Sequence, residues 1–448
     1  MADDPSATPS LLWISGGPLS CSGVGTNAVT CSGAITSSFV LPTTYGLTNG
    51  QDPDAPAVAS LTVNLSGTGT SAPGQVNAFA FSAFGQQANS TYEAAAYVNG
   101  GTVTVTNTGT INFNDGLASD LSISTASIDL ATNTPDTDPT AYPTQMNTAS
   151  GGGALMALSM GAPGWAATTT QANYDGGDGG SVSVTNSGVV DVTGYAGSTT
   201  FGDTTVPVAL NAIGAFSLGG DGVAAKTDNH DYAGTGGDGG SVTVVNTGLI
   251  EVSGSVGVAA NGILAMSQGG VGSNREDYAF GLAGDGGAVS VTQSGTIVMT
   301  DGDQMVGITA LSIGGNSNDY SLFGGVNASP DASPAGTGGP VTVDLTAGSV
   351  IDIENGSGIG VVAVSAGGNA DNTAEGQGGS GNRRQRSKAS LAVNGRTASE
   401  LERANAAGVG PQPAREPLWQ YLWRQGPVCA SERPGYRARC SRPGFRVA

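Results

Sequence analysis

Apolar and polar residues alternate along this chain in short runs, and residues 236–254, GGDGGSVTVVNTGLIEVSG, hold the clearest of them. Val242 and Val244 fall to one side and Ser241 and Thr243 to the other, the period of two that marks a half-buried strand. Asn246 and Gly248 turn the chain, and Leu249, Ile250 and Val252 predict a second short strand. Residues 261–267, NGILAMS, predict a third, which runs into Gly269-Gly270 and a long polar loop. Three strands, three turns and one loop make one coil.

The coil recurs. Copies of its opening lie at residues 99–113, 176–194, 284–300 and 336–353, with leading valines Val103, Val182, Val242, Val289 and Val341. The third strand carries Ala-x-Ser at Ala80/Ser82, Ala157/Ser159, Ala215/Ser217, Ala265/Ser267, Ala310/Ser312 and Ala363/Ser365. Such self-similarity marks a solenoid, a propeller or an array. A propeller blade would need four antiparallel strands and hairpin turns. Three strands per unit, with no helical period in the repeat, predict an all-β chain wound as a parallel β-helix with long Gly-rich loops. Crossover connections favour the right-handed form. The first corner carries Asn107, Asn186 and Asn246, then Gln293, then Leu345 or its neighbour in a coil with one extra residue. Stacked about 4.8 Å apart, these amides predict a hydrogen-bonded ladder.

Around the repeat, three segments are expected. Residues 1–60 are polar and proline-punctuated and read as an N-terminal cap, since a solenoid needs an atypical element over its open end. Residues 61–381 are the β-helix; 61–66 and 79–82 form its degenerate first coil, and 121–130 add one more alternating piece. Residues 382–448 begin NRRQRSK, where the next glycine-led opening is due, and show no sustained period. That break inside a repeat unit predicts a disordered tail, produced by a frameshift in GC-rich DNA; the alternative is a genuine basic domain that binds anionic surface polymer by charge.

Composition narrows the picture. Glycine makes up 74 of 448 residues without collagen's strict one-in-three order, and the regular valines argue against disorder. Net charge is −20, and Lys226 and Arg275 are the only basic residues before 382. An acidic body repels nucleic acid, so no nucleic-acid partner is expected. No run approaches the roughly 18 apolar residues of a membrane span. The start, MADDPSATPSLLWIS, lacks the basic and apolar regions of a complete signal peptide. Of four cysteines, Cys21 and Cys31 either close a short loop in an oxidising compartment or stay free thiols; Cys429 and Cys440 lie in the tail.

Candidate chemistry is sparse. A β-helix acting on acidic polysaccharide needs clustered carboxylates with basic partners, yet Lys226, Arg275 and the single histidine, His230, all fall in loops. No catalytic residue and no cofactor is expected. Asp178, Asp238 and Asp285 occupy one turn of successive coils as a carboxylate column, a weak calcium candidate beside the simpler reading of Asp as a turn residue. Tyr174, Tyr232, Tyr278 and Tyr320 recur in the long loops, as a binding stripe or as cover for the third strand. That strand needs cover, because Phe216, Met266, Leu311 and Val364 make its outward side apolar too.

The motif GGxGGxVxVxNxG, followed by (Ile/Val)-x-Ala-x-Ser-x-Gly-Gly, resembles the passenger region of Gram-negative autotransporters over residues 61–381. The resemblance implies a secreted or cell-surface, non-enzymatic protein at the outer membrane that serves adhesion or cell contact. Its implied partner is a glycan or protein on a host or neighbouring cell, met by a monomeric passenger. Such proteins carry a signal peptide in front and a transmembrane β-barrel behind, and neither is expected in this fragment. A polysaccharide-active β-helix enzyme and a purely structural spacer are the alternatives.

Overall fold

The structure, a computed structural model, describes residues 12–15, 19–23, 28–34, 43–49, 60–67, 76–82, 99–114, 153–161, 175–195, 198–201, 204–207, 210–222, 224–227, 230–254, 259–275, 279–302, 304–318, 335–355, 358–368, 389–393 and 396–398. The chain divides into two units, Met1–Glu402 and Arg403–Ala448, and every described residue belongs to the first. No helix occurs among the described residues.

Because each coil repeats the same alternation, equivalent strands stack into three sheets. The first sheet runs β2 (Ser20–Ser22), β3 (Ala28–Ala34), β5 (Ser60–Ser66), β7 (Thr102–Asn107), β10 (Val182–Asn186), β17 (Val242–Asn246), β22 (Val289–Gln293), β26 (Val341–Leu345), β29 (Ala389–Val393), β30 (Arg396–Ala398). The second runs β8 (Thr110–Asn114), β11 (Val189–Tyr195), β18 (Leu249–Gly254), β23 (Thr296–Thr300), β27 (Val350–Glu354). The third runs β1 (Leu12–Ser15), β4 (Thr43–Asn49), β6 (Val76–Ser82), β9 (Gly153–Met160), β14 (Leu210–Leu218), β19 (Ala259–Gln268), β24 (Gln304–Ile313), β28 (Gly358–Ala366). Successive coils pair in parallel, with Val103, Val182, Val242, Val289 and Val341 in one column. This is the stacked-coil arrangement of a parallel β-helix. Its interior is one apolar cluster of inward valines, isoleucines and alanines from all three sheets.

Polar columns close the corners. Asn107 Nδ2 donates to Asn186 Oδ1 at 2.8 Å, Asn186 to Asn246 at 2.8 Å, and Asn246 to Gln293 Oε1 at 2.9 Å, all buried. The ladder stops there, because Leu345 cannot accept, and Gln293 Nε2 is left without a partner. The corner after Leu345 holds two extra residues rather than the expected one: Gln293 and Thr296 pair with Leu345 and Val350. Gly348 takes φ 91° to complete that turn.

The Ala-x-Ser signature has a similar cause. Ser217 Oγ donates to Gly180 O at 2.7 Å in its own coil and accepts from Gly240 N at 2.8 Å in the next. Ser159, Ser267 and Ser312 repeat both bonds. Each buried hydroxyl thereby satisfies a donor and an acceptor that the glycine turn would otherwise orphan.

Glycines form the necks through which the long loops leave and return. Gly220 N bonds Gly177 O, Gly237 N bonds Gly220 O, and Gly270 N bonds Gly237 O, each at 2.8 Å, so outgoing and returning legs interleave. Gly284, Gly315, Gly336 and Gly368 continue the zigzag. Within an outgoing leg, Gly219 and Gly222 donate to Gln268 and Val271 of the next coil, while Gly220 donates to the returning leg. Neighbours are thus reached with a three-residue period, as in polyproline II geometry, rather than the two-residue period of a strand. The legs lie so close that a Cβ on Gly237 would run into Gly177's carbonyl.

Two expectations change. Residues 1–60 are more than a cap: β3 and β4 pair in parallel with β5 and β6 and form a coil of their own. Its inward row, Val29, Cys31 and Gly33, is too small to stand out as a core pattern. At the other end, β29 pairs in parallel with β26, so strand structure runs past residue 381 into the segment expected to be disordered. The piece expected at 121–130 lies outside the described residues.

Candidate functional site

The aspartate column is built by the returning glycine legs. Asp178 Oδ1 accepts from Asp238 N at 2.8 Å, Asp238 Oδ1 from Asp285 N at 2.6 Å, and Asp285 Oδ1 from Thr337 N at 2.6 Å. Asn99 begins the series by accepting from Asp178 N at 2.8 Å. Asp175 and Asp221 do the same nearby, for Thr235 N and Val271 N. Each carboxylate therefore caps a backbone donor one coil on, which is turn chemistry propagated along the stack. One oxygen of each column carboxylate is thus committed to an amide. Among the described residues, no group of three or more His, Cys, Asp or Glu is placed to hold a metal ion.

Desolvation raises the Asp238 pKa; the Asp285 amide opposes that shift, and the charges of Asp178 and Asp285 add to it. The folded state therefore binds this proton more tightly than the unfolded chain. Its contribution is most favourable below the ordinary carboxylate value and is lost as pH rises through the raised one. Asp238→Asn keeps the acceptor for Asp285 N and removes the repulsion. At pH 7 it is expected to raise the melting temperature, by less than about 1 kcal/mol of stability because the site is exposed and screened. Melting curves of parent and variant should converge in acid. A variant that melts lower at pH 7 would show that the charge itself is needed.

A second carboxylate row escaped the sequence reading. Asp191 pairs with Glu251, Glu251 with Val298, and Val298 with Asp352, on the outward side of the second sheet. Burial raises the Asp191 pKa, and a hydrogen bond from the Thr193 side chain opposes it. The signal was present as an acid at one offset after the Asn-x-Gly corner, broken by Val298 and shifted by the longer corner before Asp352.

The loop residues separate. Tyr174, Tyr278 and Tyr320 lie outside the described residues. Tyr232 is on β16 (His230–Ala233), antiparallel to β15 (Ala224–Thr227), where Lys226 pairs with Asp231 and His230 with Thr227. Arg275 is on β20 (Gly272–Arg275), antiparallel to β21 (Ala279–Phe280). β20 also pairs in parallel with β25 (Ser317–Asn318), and β16 adjoins β20, so loops of neighbouring coils form a layer of their own. A further hairpin, β12 (Ser198–Phe201) with β13 (Thr204–Pro207), rises between the second and third sheets. In the outward row of the third sheet, Phe216 is 0% exposed, Leu311 7% and Met266 8%, while Val364 is only half-buried.

Cys21 and Cys31 are directly opposite on β2 and β3 and form a disulfide. It fastens an antiparallel strand across the first sheet's N-terminal edge. Among the described residues no helix is long and apolar enough to cross a membrane, which says nothing of a β-barrel. Comparison with family models, with curated proteins and with solved structures returns no match.

Proposed function

We propose that this chain is a displayed, non-enzymatic β-helix of the autotransporter-passenger kind, right-handed by the crossover rule, which meets a glycan or protein on another cell through its loops. The observation that carries this reading is the glycine neck. From β9 onward a long loop leaves after each third-sheet strand and returns before a first-sheet strand, so one corner of the stack presents their necks side by side, while residues 115–152 join the second sheet to the third. Their bases are held by backbone bonds that do not depend on loop sequence. The Cys21–Cys31 bridge supports an oxidising compartment outside the cytoplasm.

The test is binding of the purified full chain to neighbouring bacteria, host cells and a glycan array. Replacing residues 223–233 by a Gly/Ser linker of equal length should abolish binding and leave the melting temperature within about 2 °C. Binding that survives replacement of every long loop would transfer the function to the sheet faces. The Asp191–Glu251 row favours a second reading, action on a polysaccharide with Asp191 as the acid. Depolymerisation lost in Asp191→Asn and Glu251→Gln would establish it.

A further inference from the structure

At the C-terminal end of the stack the three sheets finish differently. Inward Ile351 and Ile353 of β27, and Val361 and Ala363 of β28, are only partly buried. Val341 and Val343 belong to the same coil, yet they are 1% and 0% exposed. What distinguishes them is β29, whose Ala389, Leu391 and Val393 pair with Val341, Val343 and Leu345. β30 then returns antiparallel, with Val393 opposite Arg396 and Leu391 opposite Ala398. Asn394-Gly395 separates the two strands, the strongest short-range hairpin sequence. The opposite end of the same sheet is finished the same way, by β2 lying antiparallel on β3.

An uncovered parallel edge presents a row of unpaired amides and carbonyls to any strand that arrives, above all the matching edge of an identical molecule. We infer that the β29–β30 hairpin is a stop that closes the first sheet against a second copy of this chain. Arg396 on the outermost strand, within a segment that holds most of the chain's basic residues, adds the like-charge repulsion that edge strands use against pairing. The inference also moves a boundary. An out-of-frame segment starting at 382 has no reason to set Ala389, Leu391 and Val393 in the inward register, so the repeat's own sequence extends through Ala398.

The test uses the full chain with Leu391→Asp, at the residue paired with Val343, and separately Ala392→Pro, at the residue paired with Asp344, to break the pairing of β29. Leu391→Ile is the control. Both disruptive variants should speed hydrogen exchange at the amides of Thr342–Leu345 by roughly 10- to 100-fold, the scale set by uncovering one buried aliphatic side chain. Light scattering should show self-association absent from parent and control. If Leu391→Asp prevents folding altogether, Ala392→Pro alone decides. Unchanged exchange would mean that β29 does not cover the last coil, and faster exchange in a strictly monomeric variant would overturn the role as a stop.

Discussion

Val244→Asp is expected to unfold the middle of the stack. Val244 is 0% exposed and sits in the first sheet between Val184 and Val291, with no polar group among its column neighbours. A carboxylate there has neither solvent nor a partner, so the folded state loses several kcal/mol, or the group takes up a proton instead. Because each coil rests on its neighbours, the damage spreads along the stack. The measurement is denaturant unfolding at pH 7 and again in acid, where protonation should return part of the loss. A midpoint at pH 7 equal to the parent's would place Val244 on the solvent side.

A single methyl group at Gly237 should cost nearly as much. In Gly237→Ala the new Cβ meets Gly177's carbonyl, so the legs must part and strain both the Gly237 N to Gly220 O bond and the Gly270 N to Gly237 O bond. Overpacking of about 1–3 kcal/mol, with two buried hydrogen bonds weakened at about 1 kcal/mol each, gives a loss of roughly 3 kcal/mol or more. The chain supplies its own control: a Cβ on Gly360 would meet nothing within 4 Å, so Gly360→Ala should melt like the parent. Equal stability of the two variants would mean that the necks are loose and the close approach of the legs is unimportant.

These two positions also show what the sequence could reveal. Val244 was legible because a period of two needs only a few residues to declare itself, and the Asn107–Asn186–Asn246 ladder follows once identical residues stack in register. The glycine neck was not. Gly-Gly reads as a flexible turn, and nothing local says that Gly220 will sit between Gly177 and Gly237, which come from different coils. The same limit hid the second carboxylate row, since the substitution of Val298 breaks a column that exists only after the coils are stacked. Cys31 concealed an inward position behind a residue read for its redox chemistry. The change of composition after residue 381 outweighed a three-residue alternation, Ala389, Leu391, Val393, too short to count as periodicity by itself. The loop tyrosines gave a pattern in sequence, and Tyr174, Tyr278 and Tyr320 lie outside the described residues.

The coils are unequal: equivalent aspartates and Thr337 follow one another after 60, 47 and 52 residues. Under tension applied at its two ends, a stack of this kind yields coil by coil, and each released coil lengthens the chain by its own contour, roughly 150–220 Å at 3.3–3.6 Å per residue. The lengths differ enough to act as labels, so a force–extension trace would record the order in which coils leave. The disulfide sets one exception, because the 10-residue separation between Cys21 and Cys31 is spanned by a covalent bond and contributes no extension. Once β1 has left β4, a pull on the N-terminus therefore reaches β3 through the bridge, without first peeling away β2, which covers it.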